Sequence, residues 1–320
     1  MIMSVIERTK AKNVVHPRIS SGIFAVDCAI GGGWPLGKPI LVVGMESYGK
    51  SLLAYKAIAS AQRKGKLAVL VDAENSFDPE WGKLLGIDVE ALVHCIPDNA
   101  QDAYNILIEV AQNPDKYGIG VVDSIEACIP EKEEEGNIDD YNIGTKAKLT
   151  NAYFRKLTTT LNKLKDNRQK PVIMHINQYR ENPGVMMGSN LTIPGGLGQR
   201  FMSSIIVSMK SPNVADDKLK THGVATINGV TKKNKTFAPK KNFSFDIGLK
   251  DTDSLQIGQI ANESSVFSVI KNGCLDKKDG KYYLFKEEYR IQRDVLIRME
   301  QEPDFYEKCR ILAVETLKNG

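Results

Sequence analysis

Short apolar runs separated by longer periodic segments fill the chain from about residue 40 to residue 176. PILVVG (39–44), LAVLVDAE (67–74), ALVHCI (91–96), IGVVDS (119–124) and PVIMHINQ (171–178) have strand length, and SSIIVSMK (203–210) follows as a sixth run. These runs do not alternate apolar with polar residues, so they are expected to be covered on both faces, as parallel strands are. SLLAYKAIASAQRKG (51–65) is expected to be a helix, with Leu52, Leu53, Ala57, Ile58 and Ala61 on one face and Gly65 where it ends. DAYNILIEVAQ (102–112) and a segment from about 146 to 165 read as further helices. Strands alternating with helices imply βαβ units, hence an α/β fold with a mostly parallel twisted sheet flanked by helices.

After about Leu249 the texture changes. DTDSLQIGQIANESSVFSVIKNG (251–273) reads as a helix stopped by Gly273, and KYYLF (281–285) as a strand. DVLIRMEQEPDFYEKCRILAVETL (294–317) reads as one or two helices interrupted near Pro303. The expected organisation is a short N-terminal segment (1–25), a core (26–254) and a small C-terminal α+β domain (255–320).

Composition narrows the field only a little. Hydrophobic residues make up 42% of the 320 and charged residues 26%, enough to bury a core. A net charge of +4 is too mild to demand a nucleic-acid partner, so any such argument must rest on where the charges sit. The five cysteines, Cys28, Cys95, Cys128, Cys274 and Cys309, are far apart, with no zinc-type spacing, and are expected to be reduced thiols. The opening MIMSVIERTK has no long apolar stretch and no run of about 18 apolar residues occurs, so neither a signal peptide nor a membrane span is expected.

The chemistry is concentrated at strand ends. GMESYGKS (44–51) fits G-x-x-x-x-G-K-[ST], lying after a strand and before a helix. Glycines let backbone N–H groups close around phosphate oxygens, and the helix N-terminus adds positive potential. Gly44, Met45, Glu46, Ser47, Tyr48, Gly49, Lys50, Ser51 and Leu52 are therefore expected to cradle a nucleoside triphosphate. Lys50 reaches the β- and γ-phosphates and Ser51 holds Mg²⁺. Asp123, ending VVDS, is the candidate for the metal's water shell; alone it would read as a cap on the next turn. Glu74 ends the strand after the phosphate-loop helix, where ligands of open parallel sheets lie, and could orient an attacking water. Asp78, before Pro79, has the position of a helix cap.

Taken in order and spacing, these residues together with INQYR (176–180), PGVMMGSNLTIPGG (183–196) and KKNKTFAP (232–239) resemble the RecA recombinase family, over about 19–249. The resemblance implies a RecA-like ATPase core over 26–254 and DNA-dependent hydrolysis of ATP with Mg²⁺. It implies a filament on single-stranded DNA that pairs with homologous duplex and exchanges strands in recombination and repair. Position by position, it makes Glu46 a neighbour of the phosphates, Glu74 the catalytic glutamate and Gln178 the sensor of the γ-phosphate. Trp81 would stack on adenine and Asp78 contact the base. Lys233 and Lys235 would reach a γ-phosphate bound by the neighbouring subunit, although KKNK by itself reads as a solvated hairpin tip. His175 is expected to be a core histidine.

The resemblance also implies two DNA-binding loops, at 131–144 and 180–196. Lys148, Arg155, Arg180 and Arg200 are the candidate phosphate contacts, and Ile143, Met186 and Met187 the apolar wedges between bases. Gly184, Val185, Gly188, Gly195 and Gly196 let the second loop approach the strand, and Asn142, Ile143 and Gly144 form the tip of the first. The acidic stem of that first loop, Glu131 to Glu135 broken only by Lys132, reads as a solvated charge run. The implied partners are single-stranded and duplex DNA, further copies of the chain with ATP at their interfaces, and single-strand-binding and loading proteins. The implied location is the cytoplasm of a bacterium or a phage-infected host. Three features depart from the family pattern. The long N-terminal helix is missing or reduced to a few residues, the chain ends LKNG without an acidic tail, and Arg200 stands where lysine is expected. The alternatives are an accessory ATPase that does not recombine DNA, or a ring-forming helicase-type motor.

Overall fold

The computed structural model describes residues 16–135, 144–181, 191–213, 223–252 and 255–319. These residues form an eight-stranded sheet from β1 (Pro39–Gly44), β2 (Leu67–Asp72), β3 (Leu92–Cys95), β4 (Tyr117–Asp123), β5 (Val172–Gln178), β6 (Ile205–Asn213), β7 (Val224–Asn234) and β8 (Asn242–Gly248). The order across the sheet is β8-β7-β6-β1-β5-β4-β2-β3. The six strands from β6 to β3 are parallel, and β7 and β8 extend one edge in antiparallel fashion.

The apolar runs lack alternation because both faces are covered. Ala68 and Leu70 of β2, Ile119 and Val121 of β4, and Val172, Met174 and Ile176 of β5 enter one cluster of buried residues. Their neighbours Val69, Val71, Val122 and Ile173 enter a second. The first cluster is completed by α1 (Phe24–Ile30) and α2 (Lys50–Gln62), the second by α4 (Ala100–Gln112) and α5 (Thr145–Lys163), while α3 (Pro79–Leu84) carries Trp81 to the margin of the first. The expected single apolar face of α2 is an underestimate. Leu52 through Ala61 is buried except Lys56, because residues 18–19 and the end of α3 cover the side away from the sheet.

A short helix, α6 (Gly198–Met202), leads into β6. Farther along, α7 (Asn262–Gly273), α8 (Gln292–Gln301) and α9 (Pro303–Asn319) surround a third cluster with the antiparallel strands β9 (Asp276–Lys278), β10 (Lys281–Leu284) and β11 (Glu287–Tyr289). Phe24 of α1 enters the same cluster, and the Asn262 side chain bonds the backbone of Gly22 and Phe24 at 3.0 and 2.8 Å.

Two expectations are corrected. The helix expected over 251–273 exists only from Asn262; Gly258 is left-handed at φ 76°, and residues 256–260 bond to the end of β8, with Gly258 N–H 2.8 Å from the Gly248 carbonyl. The turn buries Leu255 and Ile260, which are five residues apart and would not share one face of a helix. The pair β7–β8 lies outside the expectation altogether; its residues alternate buried and partly exposed positions over 224–229.

Candidate functional site

The parallel register brings four strand ends to one edge of the sheet. Gly44 pairs with Gln178 and Asp72 with Asp123, so the segments leaving β1, β5, β2 and β4 all emerge together. The turn from β1 into α2 carries the phosphate-loop sequence. Ser47 and Gly49 are both left-handed, at φ 60° and 82°, the alternation that turns successive N–H groups inward. A Cβ on Gly44 would stand 2.9 Å from Met209 Cβ, so no larger residue fits where β1 passes β6. Lys50 Nζ donates to the Met45 carbonyl at 2.7 Å, closing the loop. Burial lowers the Lys50 pKa, against the pull of Asp123, Glu74 and Glu46.

Across the edge, Ser51 Oγ donates to Asp123 Oδ2 at 2.6 Å. Burial pushes the Asp123 carboxyl up to about 6, partly opposed by the Ser51 bond. A hydroxyl beside a carboxylate at the foot of a phosphate loop is a hard-oxygen donor set, which suits Mg²⁺. Beside it, Glu74 Oε1 accepts from Ser124 Oγ at 2.6 Å and from Gln178 Nε2 at 3.2 Å. The turn bearing Glu74 is itself held by Asp72, which is buried and accepts from Ser76 N–H at 3.1 Å and Phe77 N–H at 2.9 Å. His94 Nε2 lies 3.1 Å from the same carboxylate. Asp78 caps α3, accepting from Glu80 and Trp81 N–H.

Other expected residues fall elsewhere. His175 is a core histidine. Its Nε2 lies 2.7 Å from the Tyr153 hydroxyl and its Nδ1 2.9 Å from the Ile40 carbonyl, and burial lowers its pKa to about 4. Lys148 and Arg155 are exposed and seven residues apart on α5, and Gly144 is its N-cap. Arg180 is exposed but ion-paired with Glu126, and Arg200 is exposed on α6. Asn142, Ile143, Gly184, Val185, Met186, Met187 and Gly188 lie outside the described residues.

Lys233 and Lys235 lie away from the chain's own phosphate loop. Lys233 pairs with Ile206, which pairs with Leu41, and Lys235 N–H bonds the Ser204 carbonyl beside Pro39. Lys235 is thus level with the amino end of β1, five residues before Gly44, or about 17 Å along the sheet at ~3.3 Å per residue. Lys233 Nζ donates to the carbonyls of Arg200 and Phe201, at 2.7 and 2.9 Å, and burial followed by the charge of Lys235 lowers its pKa.

Several participants carried no assigned role in the sequence reading: Ser124, Asp72, Asn177, Glu126 and Gln199. Ser124 and Asn177 lie in VVDS and INQYR, where a polar residue at the end of an apolar strand is itself a signal. Gln199 is a lone amide in a glycine-rich stretch and carries no local signal.

A phosphate-loop sequence at a strand-to-helix turn, beside an acid that ends a neighbouring parallel strand, defines a P-loop α/β protein. The model of the RecA N-terminal domain matches residues 2–252. "Protein RecA" of Mesoplasma florum is 32% identical over 280 residues, 86% of this chain and 79% of that protein. "Protein RecA" of Chlorobaculum tepidum is 36% identical over 260 residues, 81% and 73%. "Protein RecA" of Streptomyces rimosus is 36% identical over 288 residues, 89% and 72%. The crystal structure of the RadB recombinase superposes with a TM-score of 0.52 at 17% identity, covering 72% of this chain and 96% of that one, a likeness of fold. The chain belongs to the RecA family.

Proposed function

We propose that this protein is an ATP-dependent DNA recombinase that assembles as a filament on single-stranded DNA, pairs it with homologous duplex and exchanges strands. The observation that carries the reading is the pair of hydrogen bonds that Glu74 accepts from Ser124 and Gln178 at the edge where the phosphate loop opens. Gln178 ends β5, and the expected second DNA-binding loop starts two residues later at Arg180. Family membership supports the same reading.

ATP is the substrate. Lys50 and the N–H groups of the loop bind its phosphates, and Asp78 and Trp81 take the base. Ser51 and Asp123 hold Mg²⁺, which supplies Lewis-acid neutralisation of phosphate charge when bound. Glu74 accepts the proton of the attacking water, its carboxylate aimed by the Ser124 hydroxyl. Gln178 donates to Glu74 or, when ATP is bound, to the terminal phosphate, and reports to the second loop which of the two it holds. Lys233 and Lys235 act on the triphosphate of a neighbouring subunit, since about 17 Å of sheet separates the level of Lys235 from the end of β1 in their own chain. Lys148, Arg155, Arg180, Arg200 and the two loops contact DNA. Strand exchange between circular single strands and linear duplex tests the proposal: joint molecules should form with ATP and Mg²⁺, and their absence would overturn it.

A further inference from the structure

Between the end of β5 and the exit of the second loop lies a buried pair of amides, Asn177 and Gln199, both fully buried. Asn177 Oδ1 accepts the backbone N–H of Gln178 at 2.9 Å. Its Nδ2 donates to Gln199 Oε1 at 2.8 Å and to the Pro194 carbonyl at 2.9 Å. Gln199 Nε2 donates to the Pro194 carbonyl and, at 3.2 Å, to the Gly196 carbonyl. Every N–H of both amides has an acceptor and each amide oxygen a donor. Neither amide can flip, because turning Gln199 over would set its oxygen against two carbonyls. A buried network so completely satisfied holds one geometry.

The far side is equally constrained. Gly195 and Gly196 are both left-handed, at φ 86°, and lie against the network and α5: a Cβ at Gly195 would meet Gln199 Nε2 at 3.1 Å, and one at Gly196 would meet Ala147 Cβ at 3.0 Å. Asn151 of α5 accepts the Gly198 N–H at 2.8 Å. The segment leaving the second loop is therefore fastened both to the strand that ends in Gln178 and to the helix that follows the first loop.

We propose that Gln199 is a positioning residue: with Asn177 it latches the exit of the second loop to the backbone of Gln178, and transmits the state of the nucleotide site to the DNA-binding surface. The inference rests on the reading of Gln178 given above. If Gln178 shifts when it exchanges Glu74 for a phosphate, its N–H either leaves Asn177 or carries the paired amides, and with them the carbonyls of 194 and 196. A contact that differs between the two nucleotide states is what coupling requires.

The test is the ratio of dissociation constants for a labelled oligothymidine, measured by anisotropy with Mg²⁺ and ADP against Mg²⁺ and a non-hydrolysable ATP analogue. Wild type should show a ratio of tenfold or more. Gln199→Glu keeps the acceptor and, when ionised, loses both donors; its melting temperature should fall, and below that temperature its ratio should lie within about threefold of one, with nucleotide affinity and DNA-free hydrolysis within twofold of wild type. A wild-type ratio in Gln199→Glu, alongside a collapsed ratio in Gln178→Ala, overturns the latch and leaves the role of Gln178 standing. No ratio in wild type overturns both. If Gln199→Glu does not fold, hydrogen exchange of wild type decides. Without DNA, amides in 191–200 should exchange differently with analogue and with ADP, and identical exchange overturns the latch.

Discussion

At the scale of single residues, the proposed function separates groups that bind from groups that react. Lys50 closes the phosphate loop and is buried without forming part of an apolar cluster. Lys50→Ala should weaken nucleotide binding on the order of 10- to 100-fold while the circular dichroism spectrum stays that of wild type, checked by titration calorimetry. Glu74 is exposed and its side chain is held through its carboxylate, so Glu74→Gln should retain ATP affinity and lose about 10²- to 10⁴-fold in turnover. A turnover within threefold of wild type would remove Glu74 from the mechanism. His175 provides a pH test of the core. Folded, it stays neutral down to about pH 4, whereas unfolded it binds a proton below about 6.5. The unfolded state therefore holds more protons across that window, and stability falls as pH is lowered through it, by ~1.4 kcal/mol per unit. Urea unfolding at pH 7 and pH 5 should show wild type losing about 2 kcal/mol more than His175→Gln, and equal losses would contradict the buried neutral imidazole.

At the scale of elements, strands and helices were legible where periodicity is local. β1, β2, β4 and β5 fall within two residues of their expected bounds because a run covered on both faces is apolar throughout, whatever its neighbours. The helix expected from 251 begins only at Asn262 because Leu255 and Ile260, five residues apart, are both tucked inward by a turn, and Gly258 selects that turn. β7 carries a functional consequence that its sequence does not announce. It delivers Lys233 and Lys235 toward the amino-terminal edge of the sheet, away from the phosphate loop of their own chain. Lys233→Ala with Lys235→Ala should keep ATP affinity within a few-fold and lose DNA-stimulated turnover by at least 10²-fold. Mixing that variant with Lys50→Ala should restore part of the rate, since each supplies what the other lacks. A wild-type rate in the double variant, or no recovery in the mixture, would dismiss action between subunits.

At the scale of the whole molecule, a net charge of +4 leaves DNA affinity dependent on a few placed cations. Arg180 is already paired with Glu126, whose side chain is largely buried, so Lys148, Arg155 and Arg200 should carry most of the described share. Affinity for single-stranded DNA should fall with salt at a slope of about −0.7 per phosphate contact, and replacing Lys148 or Arg155 by alanine should each reduce that slope by roughly one contact. Unchanged slopes would place the DNA on another face. Micrographs with analogue and single-stranded DNA report the assembly itself, as helical filaments or closed rings.

What the sequence determined by itself is the set of parts: a phosphate loop between strand and helix, acids at strand ends, an amide before a glycine-rich loop. Each rests on backbone geometry and side-chain chemistry within a few neighbouring residues. Which parts meet was decided by the sheet. Ser51 and Asp123, 72 residues apart, and Glu74 and Gln178, 104 apart, touch because parallel strands in the order β1-β5-β4-β2 bring their carboxyl ends to one edge. Gln199 acquires its place only there, because a buried amide has meaning only through the partners that burial forces on it.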